Sequence, residues 1–144
     1  YEIAKLAIKS TDDAIAILGL RLLDSNVTCR VYDLPSSDFT CSIAHQRLSG
    51  YQRAIKELDV NLRADRVWNI PESKHNSALI AAREALTSTP RPNVLLCMSD
   101  LIALAAIKEI NAMGLNIPAD IRVVGFDGID EALRSTPPLT TVHQ

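Results

Sequence analysis

An α/β fold, a three-layer α/β/α sandwich around a mainly parallel sheet, is predicted by three features of this 144-residue chain. Short apolar runs alternate with segments of helical period. The runs are apolar at consecutive positions, the habit of strands covered on both faces. The segments between them are long enough for helical crossovers, which place successive strands parallel and run right-handed.

Taken in order, residues 2–9 predict a short opening helix. Ala14-Ile15-Ala16-Ile17-Leu18 is the first strand. Residues 21–41 form a stretch of polar and turn-forming residues, unusually long for a compact domain, in which Cys29-Arg30-Val31-Tyr32 is a candidate edge strand. Over residues 42–58, Leu48, Tyr51, Ile55 and Leu58 fall at helical spacing, with Gln46, Gln52, Arg53 and Lys56 off that stripe. Arg66-Val67-Trp68-Asn69-Ile70 is the next strand. A helix over 73–86 carries Ala78, Leu79, Ala82, Ala85 and Leu86, and Pro90 and Pro92 stop its continuation. Val94-Leu95-Leu96-Cys97-Met98 is a strand, followed by a helix over 100–113 with Ser99 or Asp100 as N-cap and Gly114 as its stop. Ile121-Arg122-Val123-Val124 ends the alternation.

Composition excludes some functions. With 47% hydrophobic and 22% charged residues, the chain can bury a core. Its 15 Lys and Arg are spread among 17 acids, for a formal net charge of −2. Such a surface lacks the clustered cations that hold phosphates, so nucleic acid is not expected to bind this segment. No apolar run reaches membrane-spanning length. Cys29, Cys41 and Cys97 make no disulfide framework and suit a reducing cytoplasm.

Ligands of an open parallel sheet collect beyond the carboxyl ends of its strands. That rule nominates residues 20–22, 71–73, Ser99-Asp100 and Phe126-Asp127-Gly128, with Arg47 on the same rim. A hydroxyl, carboxylates, an aromatic and a guanidinium on one edge suit a polyhydroxylated ligand, because the charged groups bond hydroxyls directionally and an aromatic packs on an apolar sugar face. Each residue has a second reading. Asp100 is also a helix cap, Asp127 a turn former between Gly125 and Gly128, Arg47 a solvated helix residue and Phe126 a core residue.

Four segments in order resemble one family. Val94-Leu95-Leu96-Cys97-Met98-Ser99-Asp100-Leu101-Ile102-Ala103-Leu104-Ala105-Ala106 is similar to the stretch of LacI/GalR transcription regulators where a strand ends in Asn-Asp and opens a helix. Gly114-Leu115-Asn116-Ile117-Pro118-Ala119-Asp120-Ile121-Arg122-Val123-Val124-Gly125-Phe126-Asp127-Gly128 resembles the family's Gly-Leu-x-(Ile/Val)-Pro-x-Asp-(Ile/Val)-x-Val-Val-Gly-(Phe/Tyr)-Asp-Asp signature. Thr136-Pro137-Pro138-Leu139-Thr140-Thr141-Val142-His143-Gln144 is similar to its Pro-Pro-Leu-Thr-Thr-Val-x-Gln tail, and Arg47-Leu48-Ser49-Gly50-Tyr51 to its Arg-Leu-x-Gly-aromatic segment. The chain departs from the pattern at Ser99, where Asn is usual, and at Gly128, where a second Asp is usual.

The resemblance implies that residues 1–144 are the C-terminal lobe of a two-lobe, periplasmic-binding-protein-like (type I) effector domain. It implies ligand contacts by Arg47, Phe126 and Asp127, with Ser99, Asp100 and Gln144 facing the same cleft. The expected effector is a small molecule of the sugar class, and DNA is expected to bind only through a helix-turn-helix headpiece outside this chain. On this reading the segment lacks half of its cleft wall and binds ligand weakly on its own. The helix over 100–113 is apolar on more than one face, with Ile102, Ala106, Ile110 and Met113 on one stripe and Leu101, Leu104 and Ala105 on another. With Arg134 and Pro137 the second stripe is a candidate homodimer interface; the competing reading is deeper burial among neighbouring helices.

Two other classes compete with this reading. A periplasmic sugar-binding protein of an ABC transporter shares the fold, but Asp127-Gly128 and the Pro137-Pro138-Leu139-Thr140-Thr141 run speak for a regulator. A doubly wound enzyme is disfavoured: Gly19-Leu20-Arg21-Leu22-Leu23-Asp24 has a single glycine and makes no phosphate loop, and no Gly-x-Ser-x-Gly elbow occurs. His45, His75 and His143 are scattered. Cys29, Cys41 and His45 lack a fourth ligand for zinc, and neither a metal nor a cofactor is expected.

Overall fold

In the computed structural model of the chain, the described residues are 4–5, 8–10, 13–20, 29–30, 42–62, 66–71, 75–89, 91–117 and 119–125. Their elements are β1 (Ile15–Leu20), β2 (Cys29–Arg30), α1 (Ser42–Glu57), β3 (Val67–Ile70), α2 (His75–Leu86), β4 (Val94–Cys97), α3 (Asp100–Ala112) and β5 (Arg122–Val124). Of the expected opening helix, Ala4 and Lys5 are helical among the described residues.

The strands form one five-stranded sheet in the order β2-β3-β1-β4-β5. β3, β1, β4 and β5 are parallel, with Ile17 level with Val67 and Leu96, and Leu96 level with Val124. β2 adds an antiparallel edge, Cys29 against Asn69. The mainly parallel α/β sandwich expected from the sequence is the fold observed.

Both faces of the sheet are covered, which is why the strand sequences are apolar without alternation. Side chains of successive strand residues point to opposite faces. Ala16, Leu18, Trp68, Ile70, Leu95 and Cys97 therefore join α2 and α3 in one core. Ile15, Ile17, Val67, Leu96, Met98 and Val124 join Leu48, Tyr51, Ala54 and Ile55 of α1 in the other, together with Ala4 and Ile8. On the first side the alanines Ala78, Ala81, Ala82, Ala85, Ala103, Ala105 and Ala106 are all buried. Their short side chains let α2 and α3 lie close to each other and to the sheet.

Two helix ends use the same device. After α3, Gly114 (φ 74°) turns the chain, its N–H bonding Asn111 O at 3.1 Å while Leu115 N–H bonds Ile110 O at 3.2 Å. After α1 the equivalent bonds run from Asp59 N–H to Lys56 O at 3.2 Å and from Val60 N–H to Ile55 O at 3.1 Å. Both are Schellman closures that satisfy the last carbonyls. The second places an aspartate, with φ 56°, where glycine is usual.

At the amino-terminal edge of the sheet a polar clasp joins three strands. The Asp13 carboxylate accepts hydrogen bonds from Lys9 N–H (2.8 Å), Ser10 N–H (3.1 Å) and Asn93 Nδ2 (3.1 Å), and pairs with Arg122 Nη2 at 2.8 Å. Asn93 Oδ1 in turn accepts from Ala14 N–H at 2.7 Å. Burial by itself raises the Asp13 carboxyl's pKa; the hydrogen bonds from Lys9, Ser10, Asn93 and Arg122 outweigh it and hold the group below its ordinary value.

Candidate functional site

The strand order turns round at the β1–β4 boundary. From β1 the chain crosses through α1 to β3 on one side, whereas the crossovers through α2 and α3 lead to β4 and β5 on the other. Right-handed crossovers in opposite directions put the helices on opposite faces, and in open α/β sheets it is beyond the carboxyl ends of the two strands at such a point, here β1 and β4, that ligands bind.

Ser99 and Asp100 occupy that point. Ser99 follows the end of β4 by two residues and has an extended backbone (φ −151°, ψ 158°). Its Oγ accepts the Ile102 N–H at 3.2 Å, so it is the N-cap of α3, and Asp100 opens the helix. Of the two cap candidates, the hydroxyl is the one used. Ser99 is 2% exposed and Asp100 1% exposed, an unusual depth for a carboxylate. The helix amino terminus favours a negative charge there.

Two further polar residues lie near this edge, both within apolar runs or stripes of the sequence. Asn69 stands one residue before the end of β3, level with Gly19 of β1, and is fully buried. Tyr51, on the buried stripe of α1, donates its hydroxyl proton to the Cys97 carbonyl at 2.6 Å. A tyrosine on a buried helix stripe needs an acceptor for its hydroxyl, which is the trace this contact leaves in the sequence. The Cys97 thiol has its pKa pushed far up by burial and then by the nearby Asp100 charge, so it is an inert core group.

Position 47 lies within α1, one turn before Tyr51; its backbone belongs to the described helix and its side chain does not. Phe126, Asp127 and Gln144 lie outside the described residues, as do Arg134 and Pro137; the chain is described up to Gly125, directly after β5. The expected dimer stripe divides. Leu101 is 48% exposed, Leu104 is partly buried against the α2–α3 core, and Ala105 is wholly buried within that core. Ala105 is therefore corrected to a packing residue: α2 and the sheet already cover it, so it has no surface to present to another subunit. Among the described residues no group of three or more His, Cys, Asp or Glu could hold a metal ion, and no helix is long and apolar enough to cross a membrane.

Comparison with known proteins agrees with this geometry. Residues 11–144 match the periplasmic binding protein-like domain family. The HTH-type transcriptional repressor PurR of Vibrio vulnificus is 34% identical over 110 residues, covering 76% of this chain and 32% of that protein. The chain thus spans about a third of the length of the curated relatives it matches. A LacI family transcriptional regulator from Corynebacterium glutamicum superposes with a TM-score of 0.85 at 25% identity, covering 99% of this chain and 42% of that one. The transcriptional regulator CelR in complex with cellobiose superposes with a TM-score of 0.76 at 26% identity, over 98% of this chain and 38% of its own. With the turn-round of strand order at β1–β4 and the capped Ser99-Asp100 corner, these likenesses establish that the chain belongs to the periplasmic binding protein-like domain family, in the form found as the effector-binding domain of LacI/GalR regulators.

Proposed function

We propose that residues 1–144 are the C-terminal lobe of an effector-binding domain and sense a small polar molecule of the sugar class for a DNA-binding repressor. The observation that carries this reading is the buried Ser99-Asp100 corner at the carboxyl ends of β1 and β4. A carboxylate 1% exposed beside a helix amino terminus, with buried Asn69 and the Tyr51 hydroxyl near the same edge, suits the floor of a site for hydroxyl-bearing ligands. Phe126 and Asp127 directly follow Gly125 in the sequence. Arg47, Phe126 and Asp127 supply the remaining contacts on this reading, and Gln144 faces them. That one structural relative holds cellobiose supports the choice of a sugar.

The protein acts as a binding module and not as an enzyme, in the cytoplasm. DNA is engaged through a helix-turn-helix headpiece outside these residues, as the names of the relatives suggest. Lobes pair side by side in a homodimer through Leu101, Leu104, Arg134 and Pro137. The regulator relatives favour this over a transporter's periplasmic sugar-binding protein.

The test is thermal unfolding of the full-length protein against mono- and disaccharides, cellobiose included. One sugar is expected to raise Tm by several degrees, as binding to the native state alone requires. Arg47→Ala and Asp127→Ala are expected to abolish that rise. A panel without effect, or a rise untouched by both substitutions, overturns the reading.

A further inference from the structure

We infer that Tyr51 is a positioning residue: its hydroxyl fixes the depth of α1 against the carboxyl end of β4 and so sets where Arg47 stands relative to the Ser99-Asp100 corner. The inference rests on the proposed ligand site for its function and on the coordinates for its geometry. Arg122 N–H bonds Asn93 O, while Val94 N–H and Met98 N–H bond Ala14 O and Leu18 O of the β1 side. With a period of two, the carbonyls of Asn93, Leu95 and Cys97 therefore face β5. The last pair of that ladder is Leu96 with Val124. The Cys97 carbonyl thus sits at the β4–β5 seam, one residue past the last rung and two residues before Ser99.

Tyr51 reaches this carbonyl from below. Its ring is 1% exposed and shares a core with Ile17, Leu48, Leu96, Met98 and Val124. Apolar contacts of this kind tolerate small slides of a helix along its axis, because they have no preferred direction. A hydroxyl-to-carbonyl bond of 2.6 Å does not, since it weakens steeply beyond about 3.2 Å. It is a directional contact between α1 and the carboxyl end of β4. α1 starts at the carboxyl edge of the sheet and runs back toward the start of β3. Position 47 is four residues nearer that edge than Tyr51, about 6 Å along the axis. The same bond that holds Tyr51 under the end of β4 therefore places position 47 at the rim above it.

Tyr51→Phe removes the hydroxyl and keeps the ring. In the full-length protein, amide hydrogen exchange without ligand is expected to speed up about five- to tenfold at Met98, Ile102 and Ala103 and in the first turns of α1, the scale of one net hydrogen bond. The far end of α3, Met113 to Leu115, and the Asn93–Ala14 edge are expected to keep their rates. A residue that only adds stability would speed all of these together, as Leu58→Ala at the other end of α1 serves to calibrate. Uniform acceleration, or none, overturns the inference. With the sugar identified by the thermal screen, the same variant is expected to bind about tenfold more weakly, and unchanged affinity overturns the link to the site. Failure of the wild-type protein to bind any sugar refutes the proposed function and leaves the exchange result to decide the geometry.

Discussion

Arg122 of β5 reaches across the start of β4 to bring its Nη2 within 2.8 Å of the Asp13 carboxylate ahead of β1. The Asp13 side chain is 5% exposed and that of Arg122 19%. With Asn93 between them, the pair ties β1, β4 and β5 together at the edge opposite the proposed ligand site.

Breaking the clasp is therefore expected to be costly. Asp13→Ala leaves Arg122, Asn93 Nδ2 and two backbone N–H groups without their acceptor, and should destabilise the protein by about 3 kcal/mol. The loss in urea unfolding is expected to show as a lower midpoint at an unchanged slope. Because the folded state depresses the Asp13 pKa, its contribution is complete above the ordinary value of 3.8 and fades as pH falls through the lower folded value. The gap between wild type and Asp13→Asn should thus be constant from pH 5 to 7 and narrow below about pH 4. A gap that widens on acidification would contradict the assignment.

The two Schellman turns predict substitutions of opposite sign. A methyl group at position 114 would meet nothing within 4 Å, so Gly114→Ala costs only the left-handed backbone, about 1–2 kcal/mol. Asp59→Gly relieves the same conformation at φ 56° and should gain about 0.5 kcal/mol after the added freedom of the unfolded chain is counted. Thermal unfolding of both variants checks the pair.

Ser99→Ala removes the cap of α3 and is expected to cost about 1 kcal/mol, whereas Ser99→Asn, the residue usual in the family, should keep the cap and most of the stability. Any change in sugar affinity in Ser99→Asn then reports on the site, separately from folding. Equal stability losses in both variants would remove Ser99 from the capping role.

Leu101→Asp and Ala105→Asp separate surface from core. Leu101 is 48% exposed, so its aspartate variant should fold normally and show weaker self-association by sedimentation of the full-length protein. Ala105 has no exposed surface, and an aspartate there should abolish folding, since it buries an unpaired charge against α2. A folded Ala105→Asp protein would mean that the α2–α3 packing is wrong.

Cys97 offers a check on the core. With its thiol pKa raised by burial and by Asp100, the residue should resist iodoacetamide at neutral pH in the native protein and react only on unfolding. Prompt alkylation would show that the end of β4 is open to solvent.

The sequence by itself determined the class of fold and most element bounds, because each depends on local pattern. Continuous apolar runs mark strands buried on both faces, and Gly114 marks the end of α3 since a left-handed residue is needed there. It also identified the family, through motifs such as the Ser99-Asp100 strand end and the run from Gly114 to Gly125 that leads into and out of β5. Tertiary structure alone decided what depends on contacts between distant residues. Asp13, Asn93 and Arg122 belong to three separate segments, and nothing in their spacing links them. Tyr51 reads as one more apolar residue of a helix stripe until the fold sets the Cys97 carbonyl 2.6 Å from its hydroxyl. Ala105 lies on an apolar stripe that suits an interface as well as a core, and only the packing of α2 beside α3 settles it. Periodicity records which face of an element is apolar; the partner that covers that face is a property of the whole chain.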